Sequence, residues 1–231
     1  VFIHWGYSKF AETLLDRKIV DNINCMTTSF CGRWQQTGKM KYEDTGHITK
    51  EGVQQAMEKF GYRTTGNFSG YQHQTEAALG ARPQGGHLRV AYPNPYDVTY
   101  DYDRTTNSFL RTWDDIADTD KNTDQRIAPK NIVVAVAQSE QIKLATDFKA
   151  RGVQDPWELV PEEERQGLDY GGVYFYMNGK ETKGIWKKDK SQLESKLAFY
   201  NTDGTEVRFV PGQIWVEVVE PGYGLNWEPV N

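Results

Sequence analysis

Near the start of the chain, apolar residues twice recur at three- and four-residue spacing, and each run is bounded by residues suited to helix ends. Phe10, Ala11, Leu14 and Leu15 form one face of a helix over 9–17, with Ser8 placed to cap it. Val53, Ala56, Met57 and Phe60 form the stripe of a second, opened by Thr49 and closed by Gly61. Such stripes need a surface to bury against, so both helices predict a sheet beneath them. Val1, Phe2 and Ile3 read as a buried strand entering on the first residue, which predicts an upstream segment carrying any signal peptide or lipid-attachment cysteine.

Between residues 64 and 95 the periodicity dissolves into Gly, Gln, Thr and Pro, and the segment reads as an irregular connector. Beyond it the period becomes two. Residues 98–102 and 109–113 alternate about a turn at 104–107 and predict a hairpin. Residues 132–136 are almost continuously β-branched, the pattern of a strand covered on both faces. Asn178-Gly179 joins 173–176 to 182–186, Asp203-Gly204 joins 198–200 to 206–209, and Pro211-Gly212 leads into 214–219. Residues 141–167 are charged and read as helical, with Pro161 and Glu162 to Glu164 as an N-terminal turn favoured by the helix dipole. The expected class is α+β: an α/β unit over 1–95, its connector starting near 64, then a mostly β unit of hairpins over 96–231. No repeat of fixed period is present, which excludes a solenoid.

At 231 residues the chain is long enough to bury about 70% of the surface its unfolded form exposes. With 13 Tyr, 10 Phe and 7 Trp it has the apolar area to offset chain ordering, so global disorder is not expected. A net charge of −5 and a pI near 5.5 disfavour a phosphate-tracking surface, and nucleic acid is not an expected partner. No apolar run approaches the ~20 residues that cross a bilayer. Membrane attachment is expected only through a lipid or N-terminal anchor outside this chain. Cys25 and Cys31 are the only cysteines. They either close a short loop, worth about 2 kcal/mol in an oxidising compartment, or are two unrelated thiols; with no histidine nearby they make a weak zinc signal.

A family resemblance enters through the second half. Residues 173–180 with Asn178-Gly179, then Gly184 to Lys188, Phe199-Tyr200, Asp203-Gly204 and the run from Pro211 through Trp215 to Val219 resemble the C-terminal part of the YerB-like predicted lipoproteins, a family of unknown function. Residues 107–111, Asp120 and Lys130 to Val134 are similar to that family's tyrosine-rich hairpin and following strand. Phe2 to Gly6 with Ser8 and Ala11 are similar to an N-terminal segment of it, and Glu43, Thr45, Thr49, Glu51-Gly52 and Gly61 to Arg63 to the helix that follows. Residues 64–95 and 139–170 match poorly. The resemblance implies a three-layer sandwich of mixed and antiparallel sheets with helices on one side. It also implies an extracytoplasmic protein at the cell surface, and a chain that starts partway into the family's N-terminal domain. Tyr7 and Lys9 replace the family's Gly and Pro, which puts a close backbone approach to a ligand near Ser8 in doubt, and His47 replaces its usual Tyr.

Four places carry candidate chemistry. His4, Gly6 and Ser8 sit where a strand hands over to a helix, a place where backbone N–H groups can hold an anion, and His47 would strengthen a ligand site there if it came within reach. Against this, a histidine at a strand end and a serine cap are ordinary structural features, and no base and orienting acid for Ser8 are identifiable. Asp118, Asp120, Asn122 and Asp124 place oxygens at alternate positions as a calcium loop does, but Thr123 and Pro129 replace its Gly and Glu, so an Asx-rich turn is preferred. The runs Glu162 to Glu164 and Lys187, Lys188, Lys190 read as solvated faces. Trp186 and Trp215 read as core, whereas Trp5, Trp34, Trp113, Trp157 and Trp227 lie near loops where an indole can stack on a sugar.

Two functions follow. The preferred one is a non-catalytic cell-envelope binding or scaffolding module whose partner is an envelope protein or a wall glycan. The other is an envelope enzyme acting on a phosphate-linked or glycan wall precursor near the turn from His4 to Ser8. The sequence points to no cofactor and names no catalytic residue.

Overall fold

The computed structural model describes residues 1–7, 9–16, 20–38, 41–66, 69–120, 123–141, 148–151, 162–192 and 195–230. They gather into two compact units, Val1–Ser69 with Gln141–Lys149, and Gly70–Glu140 with Ala150–Asn231. The fold is mixed α+β with layered sheets.

The first unit runs β1 (Phe2–His4), α1 (Lys9–Asp16), β2 (Asn22–Asn24), β3 (Cys31–Arg33), β4 (Gly46–Ile48) and α2 (Lys50–Phe60). β1 and β2 pair in parallel, β3 and β4 antiparallel. α2 ends as its residues dictate: the Thr49 side chain accepts from the Gly52 N–H, and Gly61 closes it in the left-handed conformation at φ +66°. Ile23, Cys25 and Ala56 form the buried centre, with Trp5, Phe30, Ile48, Val53 and Tyr62 around it. A disulfide joins Cys25 to Cys31 and ties the end of β2 to the start of β3. Two expectations fail here. Phe60 ends the predicted stripe yet is 45% exposed, its ring meeting Phe30 and Tyr62 at the border of the small core. β1 forms where expected but is not buried: Phe2 is 52% exposed, since a two-stranded sheet offers only one neighbour.

The second unit contains β5 (Gln72–His73), β6 (Gly85–Val90), β7 (Val98–Asp103), β8 (Ser108–Trp113), β9 (Ile116–Ala117) and β10 (Asn131–Val136); the division between the units falls within β11 (Gln138–Gln141) and β12 (Phe148–Arg151). α3 (Glu162–Arg165), β13 (Leu168–Met177), β14 (Lys180–Asp189), β15 (Ala198–Asn201), β16 (Arg208–Phe209), β17 (Ile214–Val219) and β18 (Leu225–Val230) complete the chain. Two five-stranded sheets result, ordered β18-β6-β7-β8-β9 and β15-β14-β13-β10-β17. The turn between β13 and β14 has the residues its geometry needs, Asn178 at φ +52° and Gly179 at φ +69°. β17 pairs with β10 in parallel, beyond the reach of any turn signal.

Alternation then sorts the side chains. Ile132 and Val134 point from β10 into a core shared with Leu88, Val98, Tyr100 and Phe109 of the other sheet. Val133 and Ala135 point the opposite way, into a second core with Phe175, Trp186, Phe199 and Phe209. β10 is thus covered on both faces, as its composition predicts. Trp186 and Trp215 do not share a layer: Trp186 belongs to the second core, and Trp215 packs on the first.

Two readings of the segments between these strands need correction. Within 64–95, a Gly-rich stretch read as irregular connector holds β6, because the Trp227 indole lies across Gly86 where a Cβ would come within 2.1 Å of it. Within 141–167, read as helical from its charged residues, Phe148–Arg151 is a strand paired with Gln138–Gln141. Pairing between strands overrides a helix propensity of a few tenths of a kcal/mol per residue. Residues 142–147 and 152–161 of that expectation lie outside the described residues, and Glu162–Arg165 is helical.

Candidate functional site

His4 closes β1 and is buried at 8% exposure. Its Nδ1 donates to the Gly6 carbonyl at 3.0 Å and its Nε2 lies 3.1 Å from Asn22 Oδ1, so both ring nitrogens hold the strand ends together. Gly6 has φ +90° with the Met26 sulfur beside it. Ser8 lies outside the described residues. His47 is on β4, in a different two-stranded sheet from His4, and its ring stacks on Trp34 at 4.5 Å between centroids. The partners of the two imidazoles are distinct, and neither is arranged with a carboxylate as a general base would be.

The acidic loop also resolves into separate roles. Asp118 forms an ion pair with Arg111. Asp120 accepts from the Thr123 N–H at 2.9 Å and its hydroxyl at 3.0 Å, and Asp124 takes φ +55°, which makes an Asx-type turn. Asn122 lies outside the described residues. Among the described residues no three His, Cys, Asp or Glu side chains converge as metal ligands.

Arg111 leads to a cluster that sequence reasoning missed. Glu217 on β17 is 8% exposed and faces the first core. It accepts from the Tyr100 hydroxyl, from the Tyr92 hydroxyl at 3.0 Å and from the Trp215 Nε1 at 3.1 Å, while Arg111 Nε lies 3.9 Å away. The Arg111 guanidinium sits 4.9 Å over the Trp215 ring. Burial first, and then the charge of Glu217, push both phenols far above the ordinary tyrosine range, so they stay protonated as donors. The cluster ties the two sheets together. Its one sequence signal was Glu217 itself, a charge on the inward phase of an alternating strand.

Beside this cluster the two sheets part into a cleft of about 440 Å³. Val136, Gly172, Tyr174 and Val219 of the second sheet line it, with Leu225 of β18 and the turn from Glu220 to Tyr223 that joins β17 to β18. Gly172 leaves its floor open. Lys183 stands at the rim with Nζ 5.3 Å from the Tyr174 ring, and no carboxylate pairs with it among the described residues. The volume and the mix of aromatic walls with two charged side chains, Lys183 and Glu220, suit a small ligand or a chain segment. A larger groove of about 680 Å³ follows β5 and β16. Its polar groups already satisfy one another: Gln72 and Lys196 bond Glu206 at 3.1 and 2.8 Å, and Gln74 bonds the Arg208 carbonyl at 2.7 Å. A ligand there would have to displace those bonds, so the tyrosine-lined cleft is the stronger candidate.

Comparison with known proteins follows the same lines. A family model described as the C-terminal domain of a protein of unknown function (DUF3048) matches residues 88–216, which takes in the 107–134 segments and most of the 173–219 segments that carried the resemblance. The predicted lipoprotein YerB of Bacillus subtilis (strain 168) is 22% identical over 226 residues, covering 95% of this chain and 60% of YerB. The chain therefore spans about 60% of the length of this curated relative. A crystal structure of YerB from Bacillus subtilis is similar with a TM-score of 0.72 at 20% identity, over 95% of this chain and 67% of that one, which speaks for a shared fold. With more than half its length matched by the family model, this chain belongs to the DUF3048 family of proteins of unknown function.

Proposed function

We propose that this chain is a binding module of a bacterial lipoprotein, working on the extracytoplasmic side of the cell envelope and tethered by a lipid or N-terminal anchor outside the sequence given. Its partner is a wall glycan or an envelope protein, and it performs no chemistry on it. The observation that carries the reading is the cleft walled by Tyr174 and Tyr223 with Lys183, which has no carboxylate partner among the described residues, at its rim. Flat apolar walls hold a ring or an extended chain, and an ammonium selects a carboxylate or phosphate next to it. The Cys25–Cys31 disulfide suits an oxidising compartment. On this reading the layered sheets and helices are the family's three-layer sandwich. None of the described helices is long and apolar enough to cross a membrane, so attachment falls to the anchor.

Titration of the full chain with a soluble disaccharide-pentapeptide fragment of cell wall tests this, read by calorimetry. Binding is expected, with Tyr174→Ala and Lys183→Ala each weakening it about tenfold, a loss of ~1.4 kcal/mol. Binding indifferent to both substitutions would remove the cleft from the reading. Release of product from the fragment on long incubation would favour an enzyme instead.

A further inference from the structure

The β3–β4 ribbon carries two ring stacks, one on each face, and each lies over a glycine. On one face the His47 imidazole covers Gly32, where a Cβ would stand 3.1 Å from its Cε1. Trp34, two residues beyond Gly32 and so on the same face, lies flat on that imidazole at 4.5 Å and 8° between planes. On the other face Trp5 covers Gly46, and the Arg33 guanidinium is held 4.6 Å from Trp5 and 4.0 Å from Tyr42. Arg33 Nη1 donates to the Tyr42 carbonyl at 2.7 Å and to the Thr45 hydroxyl at 3.2 Å. Trp34 is nevertheless 56% exposed. The ribbon is pinned at its start by the Cys25–Cys31 disulfide and at its end by the Trp34 N–H on the Thr45 carbonyl at 2.8 Å.

An indole fixed on one face and open to water on the other contributes little to the core, but it is a rigid stacking surface. We propose that Trp34, backed by His47, is a binding platform for a neutral saccharide. The face of an indole carries negative charge density and attracts the weakly positive C–H face of a pyranose ring. Gln35 and Thr37, which follow Trp34 closely in the chain, are neutral and exposed. The Arg33 guanidinium is held on the opposite face, over Trp5 and Tyr42, and so does not stand beside the indole to favour a phosphate-bearing ring. The imidazole serves by its face: its Nδ1 is buried and has no hydrogen-bond partner among the described residues. This site is independent of the tyrosine-lined cleft and can fail or stand without it.

The test uses the full chain and a β-1,4-linked tetramer of N-acetylglucosamine, following the indole N–H resonances in ¹H–¹⁵N spectra. A saturable shift of the Trp34 signal is expected, with a dissociation constant on the order of 1 mM, as a single stacking face gives. Trp34→Ala should weaken binding at least about tenfold with unchanged circular dichroism, and His47→Ala about fivefold by loosening the indole. The readout at the Trp34 resonance itself separates this platform from the cleft. No saturable shift at Trp34, retention of binding by Trp34→Ala, or tighter binding of tetramethylammonium than of the sugar would overturn the proposal.

Discussion

Asn131, at the start of β10, offers the sharpest test of how the second unit is held together. Its side chain is fully buried and acts as a staple across the chain reversal into β17: Oδ1 accepts from the Val210 N–H at 2.8 Å, and Nδ2 donates to the Val210 and Gln213 carbonyls at 2.9 and 3.0 Å. Asn131→Ala removes three bonds and strips the Val210 N–H and carbonyl of this partner, while the Gln213 carbonyl keeps the backbone N–H of residue 131 at 3.1 Å. At roughly 1 kcal/mol per bond the expected loss is about 3 kcal/mol, which for a unit of this size lowers Tm by roughly 6–12 °C. Asn131→Asp is the more discriminating variant. It keeps the acceptor for Val210 but turns a carboxyl oxygen toward two carbonyls in a site without water, so its folded-state pKa must rise above the ~3.9 of an unfolded aspartate. The folded state then holds the proton more tightly than the unfolded state. Stability is nearest wild type below about pH 4 and falls as the pH climbs toward the raised pKa. Urea titrations followed by tryptophan fluorescence at pH 4 and pH 7 measure both effects as shifts in midpoint. An Asn131→Asp penalty that stayed constant or grew toward low pH would refute this account of the staple.

Substituting Glu217 with Leu should cost about 2–4 kcal/mol in the same urea assay, because the Tyr100 hydroxyl and Trp215 Nε1 lose their acceptor while Arg111 keeps Asp118 and Tyr92 keeps the Val218 carbonyl. Glu76 accepts from Lys130 at 2.7 Å and from Asn107 at 2.9 Å, and these bonds hold its pKa below the usual carboxylate value. Its contribution is present above the unfolded pKa and lost as pH falls through the depressed one, so Glu76→Gln should differ from wild type at pH 7 and match it in strong acid. The difference should stay under about 1 kcal/mol, since the carboxylate is partly open to water. Cys25→Ser should lower the stability of the first unit by about 2 kcal/mol and make its unfolding midpoint insensitive to dithiothreitol.

Some of this was legible residue by residue. Thr49 and Gly61 bound α2 in the sequence as they do in space, and Asn178-Gly179 specifies the tight turn of the β13–β14 hairpin. These signals are local: a left-handed backbone position or an unpaired helix N–H is satisfied by residues within a few positions of it. The candidate sites were less readable. His4 and Asp118 could be picked out as polar residues beside turns, but their partners Asn22 and Arg111 follow from pairing, which no motif announces. Trp34 and His47 stood apart in the chain, and only the register that sets Gly32 opposite His47 stacks them.

The sequence by itself determined the composition of each strand, the turn chemistry, the two-faced burial of β10 and the family resemblance. Only the tertiary structure decided the parallel pairing of β10 with β17, the ionic cluster around Glu217, the cleft between Tyr174 and Tyr223, and the strand at Phe148–Arg151. The reason is physical. Local conformation is set by steric and hydrogen-bonding preferences inside a few residues, whereas the partner of a strand or a buried charge is set by which arrangement hides the most apolar surface while leaving no polar group unpaired.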